Sequence, residues 1–369
     1  MDTSSKEKQL KILFRLASFI LIMIVLVLIF GFEKDLMKKP DQIGLVMVKS
    51  QMDKDWQEVQ FEALKSACEE VGAKFYIKQD VPENAVIFKN TVTDVINHGA
   101  NMVFIASYPY SAPLKNIANE HPNISFATDL VAYNAPNMSS YTVRMYQGRY
   151  LTGAIAAMRT KTNVIGYVAP IPTSEVNLEI NAFTLGAQKI NPNVKVFVMW
   201  TNSWKNSSKE EENTKRLIQE VHADVITYHQ EDQVVAETAE ALNIEYIGYN
   251  NISENVSEKQ LTSLNVHWDI YYSDIVNNYL KGELNYLDNN WLDINNGAFI
   301  LTNYSPLITP EMKMKVEVLR QHLLNGHHVF SGLIYDNQNN IRCEADETIS
   351  DHALIKHTNW LVKGVQILE

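Results

Sequence analysis

The chain is poor in cysteine: 369 residues hold two, Cys68 and Cys343, far apart and without a CxxC spacing. This excludes a disulfide-knit scaffold and leaves zinc binding and dithiol redox chemistry without support. In an oxidising compartment the two thiols could pair, but a Cys at a helical core spacing is more often simply buried, and both readings stand. Basic charge is scarce where nucleic acid would need it. Residues 1–40 carry seven Lys and Arg against four Asp and Glu, the rest of the chain carries 25 against 39, and no basic run follows Lys39. A protein that neutralises phosphates needs a basic face, so nucleic acid is excluded as a partner. GxSxG, HExxH, GxGxxG, GxxxxGK[ST] and Cys/His ligand spacings are also absent. No nucleophile, metal site or cofactor is therefore expected, and catalysis is not needed to account for the chain. His327 and His328 beside Gly326 read as a solvated pair at a helix end, and the acidic run Glu210–Glu212 as an exposed helix face.

One long apolar run is present. Lys6, Lys8, Lys11 and Arg15 precede the uncharged segment Leu16–Phe32, which is the short end of a membrane span. It exceeds a typical signal-peptide core and has no convincing small-x-small cleavage site. We read it as an uncleaved transmembrane anchor, with a cleaved signal peptide as the alternative. The positive-inside rule places residues 1–15 in the cytoplasm and the globular part outside the cell membrane.

From residue 41 a short apolar run followed by an amphipathic stretch repeats many times, the rhythm of a parallel α/β fold. IGLVMV (43–48), AKFYI (73–77), MVFIA (102–106) and ISFAT (124–128) read as strands, separated by helical periodicities up to Gly72, over 85–98 and over about 112–120. A second set begins near the helix 147–160. It continues through VIGYVA (164–169), VKVFVM (194–199), ADVIT (223–227) and EYIGYN (245–250), with helices at 174–190, 208–221 and 232–242. Two doubly wound lobes with a hinge follow: residues 1–40 as cytoplasmic stub, anchor and linker, 41–143 plus about 268–292 as lobe one, and 144–267 plus about 293–330 as lobe two. Residues 331–369 are expected to pack on the lobes. QLTSLNVHW (260–268) reads as too late to extend lobe two and suited to crossing back, and the Asn- and Asp-rich stretch 283–300 as surface loop.

In open α/β sheets ligands sit outside the carboxyl ends of strands, so two facing lobes form a cleft. Three tryptophans stand at strand-to-helix junctions: Trp56, Trp204 and Trp268. An indole offers a flat face to another π-system, worth about 1–3 kcal/mol per stacked face. Taken singly, each is accounted for as well by packing a helix onto its sheet. Ser107 and Tyr108 follow MVFIA, where they serve either a ligand or a turn before Pro109, and His229 ends ADVITYH in the same position. Arg144 and Arg149 either face the cleft or make surface or inter-lobe ion pairs.

Several segments, in order, carry a resemblance. IGLVMVKSQMDKDWQEVQFEALKSACEEVG (43–72), RMYQGRYLTGAIAAMRTKTNVIGYVA (144–169), FTLGAQKINPNVKVFVMWTNSWKN (183–206), ADVITYHQED (223–232), YIGYNN (246–251), LTSLNVHWDIYY (261–272) and VFSGLIYDNQNNIRCEADETISDHALIKHTNWLVKGV (329–365) together resemble the basic membrane protein family of solute-binding proteins. This is the purine nucleoside receptor-like branch of the type I periplasmic binding proteins. The resemblance implies capture of a small solute outside the membrane for an ABC permease, often a purine nucleoside or base. It places Trp56 and Trp204 on opposite faces of a base, Asp53 as the acidic residue of the first loop, and Asp129 as a carboxylate facing a ring nitrogen or hydroxyl.

Two departures bear on the ligand. Asn250 stands where nucleoside receptors carry an aspartate for ribose hydroxyls, and Asn265, Val266, His267 and Trp268 stand where a lysine is expected after LTS. With Asn250 and Trp268 as candidate contacts, the pattern points to a purine base rather than an intact nucleoside. The rival reading is an extracytoplasmic sensor that reports ligand occupancy through a membrane partner.

Overall fold

The computed structural model describes residues 21, 41–48, 56–82, 84–106, 110–129, 135–250, 257–286, 289–302 and 304–369, without the side chains of 56–58, 111–112, 129 and 289–290. The expected anchor segment lies outside the described residues except for Leu21. Among the described residues no helix is long and apolar enough to cross a membrane.

The first half of the chain alternates as its pattern predicts: β1 (Gln42–Met47), α1 (Trp56–Glu70), β2 (Lys74–Lys78), α2 (Ala85–Asn97), β3 (Met102–Ala106), α3 (Ser111–Glu120), β4 (Ser125–Asp129) and β5 (Met138–Val143). Side chains of β1 point alternately to two cores. Leu45 and Met47 join Leu64, Cys68 and Tyr272 on one face, and Val46 joins Phe88, Val92 and Leu114 on the other. Burial on both faces is what its unbroken apolar run required. Asn84 caps α2, its Oδ1 accepting from the N–H groups of Val86 and Ile87 at 3.0 and 3.1 Å.

The second set runs α4 (Met145–Arg159), β6 (Val164–Ala169), α5 (Ser174–Ile190), β7 (Lys195–Trp200), α6 (Ser207–Glu220), β8 (Val225–Tyr228), α7 (Val234–Ala241), β9 (Glu245–Tyr249) and β10 (Gln260–Val266). Then follow α8 (Trp268–Lys281), β11 (Asn289–Leu292), a 3-10 turn (Ile294–Asn296), β12 (Phe299–Leu301), α9 (Pro310–Leu324), β13 (Ile334–Tyr335), β14 (Ile341–Cys343), α10 (Asp351–His357) and β15 (Val365–Ile367).

The strands form two main sheets, ordered β11-β5-β4-β3-β1-β2 and β12-β10-β9-β8-β6-β7-β15. All pairings in them are parallel except β10 with β12. In each, one strand lies between its successor and the next strand but one: β1 between β2 and β3, and β6 between β7 and β8. The strand order therefore reverses at β1 and at β6, which creates a crevice at the carboxyl ends of both sheets.

Two expectations are corrected. Residues 260–266 do extend the second sheet: β10 pairs in parallel with β9, and the chain crosses to the first sheet only at Val266–Trp268. The stretch 283–300 is not all surface loop, because it holds β11, parallel to β5, and part of β12 on the edge of the second sheet. Short edge strands of mixed composition take their pairing from distant partners, which local sequence does not show.

Among the described residues three stretches thus connect the sheets: β5 to α4, β10 to α8, and β11 to β12. They are stitched together by backbone groups. The Arg144 N–H donates to the Leu292 carbonyl at 2.8 Å, the His267 N–H to that of Ala298 at 2.9 Å, and the Ile294 N–H to Gln147 Oε1 at 3.0 Å. The Arg144 side chain lies over the Trp291 ring, 4.7 Å from its centroid, and pairs with Asp351 of α10. Cys68 and Cys343 are both buried and unpaired, in the cores of the first and second lobe respectively.

Candidate ligand-binding wall

The carboxyl ends of β7, β8 and β9 bring together residues far apart in sequence. After β7 the chain turns through Thr201–Trp204, and Gln230 holds this turn. With its amide oxygen accepting from Thr201 Oγ1 at 2.7 Å, its nitrogen donates to the carbonyls of Trp204 and Ser203 at 2.9 and 3.2 Å. The Glu231 N–H also donates to the Trp204 carbonyl, at 3.1 Å. So fixed, the Trp204 indole remains 38% exposed, a large apolar group left partly in solvent.

Trp204 meets the His229 ring edge to face, with centroids 5.9 Å apart, and His229 in turn lies 4.8 Å from the Tyr249 ring. Together they make an aromatic wall. His229 is almost fully buried, its Nε2 3.3 Å from Tyr249 Oη and its Nδ1 3.3 Å from Glu179 Oε2, the latter off the hydrogen-bonding direction. Burial, aided by Arg149 and opposed by Glu179, pushes the imidazole down to about 4, so the ring is neutral at physiological pH. Burial and the Glu179 charge likewise hold the Tyr249 phenol well above its ordinary range, so it remains a donor.

Behind the wall sits Arg149, in the first turns of α4 and 0% exposed. Its Nε donates to Glu179 Oε2 at 2.8 Å and its Nη2 to the Tyr228 carbonyl at 3.0 Å. Its guanidinium carbon lies 4.1 Å from the Tyr249 ring centroid and 5.5 Å from that of Tyr167. Of the two roles the sequence left open for Arg149 neither applies, since the pair is internal to one lobe; Arg144 is the arginine at the crossings. The available signal was a lone arginine in the small and apolar helix GRYLTGAIAA, matched by a lone glutamate in VNLEINAF.

Of the other expected contacts, Asn250 lies beside Tyr249 with φ of 47°, its Oδ1 accepting from the Val266 N–H at 3.4 Å. That bond ties the end of β9 to the end of β10. Trp268 is placed elsewhere. It is 6% exposed in the first-lobe core, stacked on Tyr272 at 5.7 Å and edge-on to Tyr141 at 6.1 Å. The indole packs among Tyr141, Tyr271 and Tyr272, so the structure does not bring it to the wall. Trp56 opens α1 and Asp129 closes β4, their side chains outside the described residues, as are Asp53, Ser107 and Tyr108 altogether. Glu210, expected on an exposed face, is fully buried instead: one of its oxygens accepts from the Asn206 N–H at 2.7 Å, and its carboxyl lies beside Asp232.

Two hollows accompany these residues. A cavity of about 30 Å³ lies where Thr142, Val143 and Trp291 of the first lobe meet Tyr146, Leu178 and Glu179 of the second. A wider depression of about 440 Å³, lined by residues such as Ser207, Glu211, Lys215 and Glu237, runs along the outside between α6 and α7. The first is at the junction of the lobes, and the second is a surface groove whose lining includes none of Trp204, His229 and Tyr249. Among the described residues no group of His, Cys, Asp and Glu is arranged to hold a metal ion.

Paired parallel-sheet lobes joined by three crossings define the fold of the periplasmic binding proteins. A solved ABC transporter solute-binding protein from Conexibacter woesei superposes with a TM-score of 0.65 over 78% of this chain and 97% of its own, at 18% identity. The chain belongs to the family of PnrA-like ABC transporter substrate-binding proteins, whose family model matches residues 41–329. It is 28% identical over 328 residues to a purine-binding protein of Brucella abortus, covering 88% of this chain and 92% of that protein. It is also 23% identical over 305 residues to the transcriptional activator protein Med of Bacillus subtilis, covering 81% of this chain and 94% of that protein.

Proposed function

We propose that this substrate-binding protein captures a purine base, or a nucleoside, on the outer side of the cell membrane and delivers it to an ABC permease. The observation that carries the reading is the half-exposed Trp204 backed by His229 and Tyr249 at the strand ends, in a chain similar to a purine-binding protein. The exposed Trp204 indole is flat and the rings tilted behind it are uncharged, which suits one face of an uncharged heterocycle. Trp56 is proposed to cover the other face, Asp53, Asp129, Ser107 and Tyr108 to meet polar edges from the first lobe, and Asn250 and His229 to do so from the second. Closure of the lobes about their crossings would bury the ligand. Leu16–Phe32 would hold the protein on the membrane, with the globular part outside.

Calorimetry with adenine, guanine, hypoxanthine, adenosine and inosine tests this. Heat from at least one base is expected, and no heat from any of the five overturns the ligand assignment. Replacing Trp204 by Ala removes one stacked face, about 1–3 kcal/mol, so affinity should fall about 5- to 150-fold.

The likeness to Med over nearly all of that protein's length favours a second reading, in which ligand occupancy is signalled to a membrane partner. Capture from detergent-solubilised membranes with and without ligand separates the two. A permease recovered in the ligand-bound state supports transport, whereas a signalling protein whose recovery changes with ligand supports sensing.

A further inference from the structure

We propose that Arg149 is the positioning residue of the ligand-binding wall: its guanidinium sets the plane of the Tyr249 ring and, through the Tyr249 hydroxyl, the rotation of His229, and so the angle at which Trp204 meets a ligand. This rests on the reading of the wall as the ligand surface.

The chain of contacts is continuous. Tyr249 lies over the guanidinium at 4.1 Å, and Arg149 is anchored by Glu179 and by the Tyr228 carbonyl, two groups on different elements. Glu179 Oε2, which receives the Arg149 Nε–H at 2.8 Å, is also the atom 3.3 Å from His229 Nδ1. Tyr249 Oη closes the ring of contacts at His229 Nε2, at 3.3 Å. His229 is thereby held at Nε2 by the Tyr249 hydroxyl, with Glu179 facing Nδ1 without a hydrogen bond, and the Trp204 ring meets it edge to face.

Stability is a poor account of this arrangement. Arg149 Nη1, Tyr167 Oη and His229 Nδ1 are buried without a hydrogen-bond partner among the described residues, and buried ion pairs are often replaceable by apolar groups without loss of stability. A guanidinium offers something a lysine does not, a rigid plane on which an aromatic ring stacks while the fork holds two acceptors. Charge follows the same geometry. The groups around the imidazole are Arg149 from α4, Glu179 from α5, and Tyr249 from β9, with Tyr167 of β6 under Arg149 and Glu175 of α5 acting on Tyr249. Removing Arg149 alone leaves Glu179 to draw a proton onto His229.

The test uses the full chain with Arg149→Lys, Arg149→Met and the pair Arg149→Met with Glu179→Gln. Thermal melting reports folding, side-chain NMR of labelled histidine follows the His229 midpoint with His229→Gln as the assignment control, and Trp fluorescence follows titration with adenine and guanine. The expected result is a folded Arg149→Lys and a folded double variant, each at least 10-fold weaker for the base, and a His229 midpoint raised toward neutrality in Arg149→Met. If Arg149→Met does not fold, the other two variants decide by affinity. Base affinity within 2-fold of the parent in both, with melting unchanged, overturns the proposal. If the parent itself binds neither base, the ligand reading fails, and the His229 midpoint and Trp204 emission of the unliganded variants decide the positioning role: unchanged values in the folded variants overturn it.

Discussion

Gly153 of α4 and Gly186 of α5 face each other so closely that a Cβ on the first would lie 1.9 Å from the Phe183 carbonyl oxygen, and one on the second 1.9 Å from that of Tyr150. Backbone meets backbone here, and no rotamer change can relieve the clash. The same approach sets the register that puts Arg149, one turn before Gly153, within reach of Glu179, two turns before Gly186. Gly153→Ala or Gly186→Ala should therefore cost about 3 kcal/mol or more, the upper range for overpacking, and weaken ligand binding together with stability. Urea unfolding measures the first. An alanine variant within about 0.5 kcal/mol of the parent would show that the helices can separate freely.

Cys68 and Cys343 occupy different lobes, and burial, with Glu69 beside it, pushes the Cys68 thiol up to about 12. Burial also raises the Cys343 thiol, whose sulfur contacts the Glu347 carbonyl at 3.4 Å. Only a thiolate reacts with disulfide reagents at an appreciable rate. Ellman's reagent at pH 8 should leave the native protein unlabelled and titrate both thiols in denaturant. A reagent-silent unfolded chain that shifts on a reducing gel would instead reveal a disulfide.

Legibility varied with the range of the interaction that fixes each feature. VIGYVA (164–169) is β6 residue for residue, because a strand buried on both faces shows itself as an unbroken apolar run. β11, β12 and β15 read NNWL, FIL and VQI, and only their partners make them strands. Glu210 was hidden in a run of three glutamates, though Asn213, Thr214 and Leu217 share its helical face and are buried with it. Trp268 shows the other limit, since sequence puts it at a crossing but not which way the indole turns. Trp204 and His229, both anticipated at strand ends, do meet, whereas Arg149 and Glu179 stand 30 residues apart with no local pattern linking them.

Glu210 makes stability depend on pH. Burial and the neighbouring Asp232 carboxyl push its acid up to about 8, against an ordinary value of 4.5. Between those values the folded chain holds a proton that the unfolded chain has released, so stability falls as pH rises, by at most about 1.4 kcal/mol per pH unit. Glu210→Gln keeps the acceptor for the Asn206 N–H and removes the titration. The variant should be more stable than the parent at pH 8.5 and closer to it at pH 5, in urea melts at the two values. A parallel pair of curves would show that Glu210 titrates normally.

His229 acts with the opposite sign. Its folded value is about 4 against an ordinary 6.5, because burial and Arg149 outweigh Glu179. Below 6.5 the unfolded chain takes up a proton that the folded chain refuses, so stability is lost as pH falls through that window. From about 4.5 to 6.5 this slope and that of Glu210 oppose each other, so the contributions of these two groups largely cancel there. Removing either group uncovers the other. Glu210→Gln should lose stability as the solution is acidified from pH 6.5 to 4.5, while His229→Gln should gain it over the same change. Trp204, edge-on to the imidazole, provides a local reading, because a protonated imidazole quenches indole emission. Its fluorescence should hold steady from pH 8 to 5 and drop only below that. A drop centred near 6.5 would mean the imidazole is open to water, and the two stability slopes would then separate in the parent protein as well.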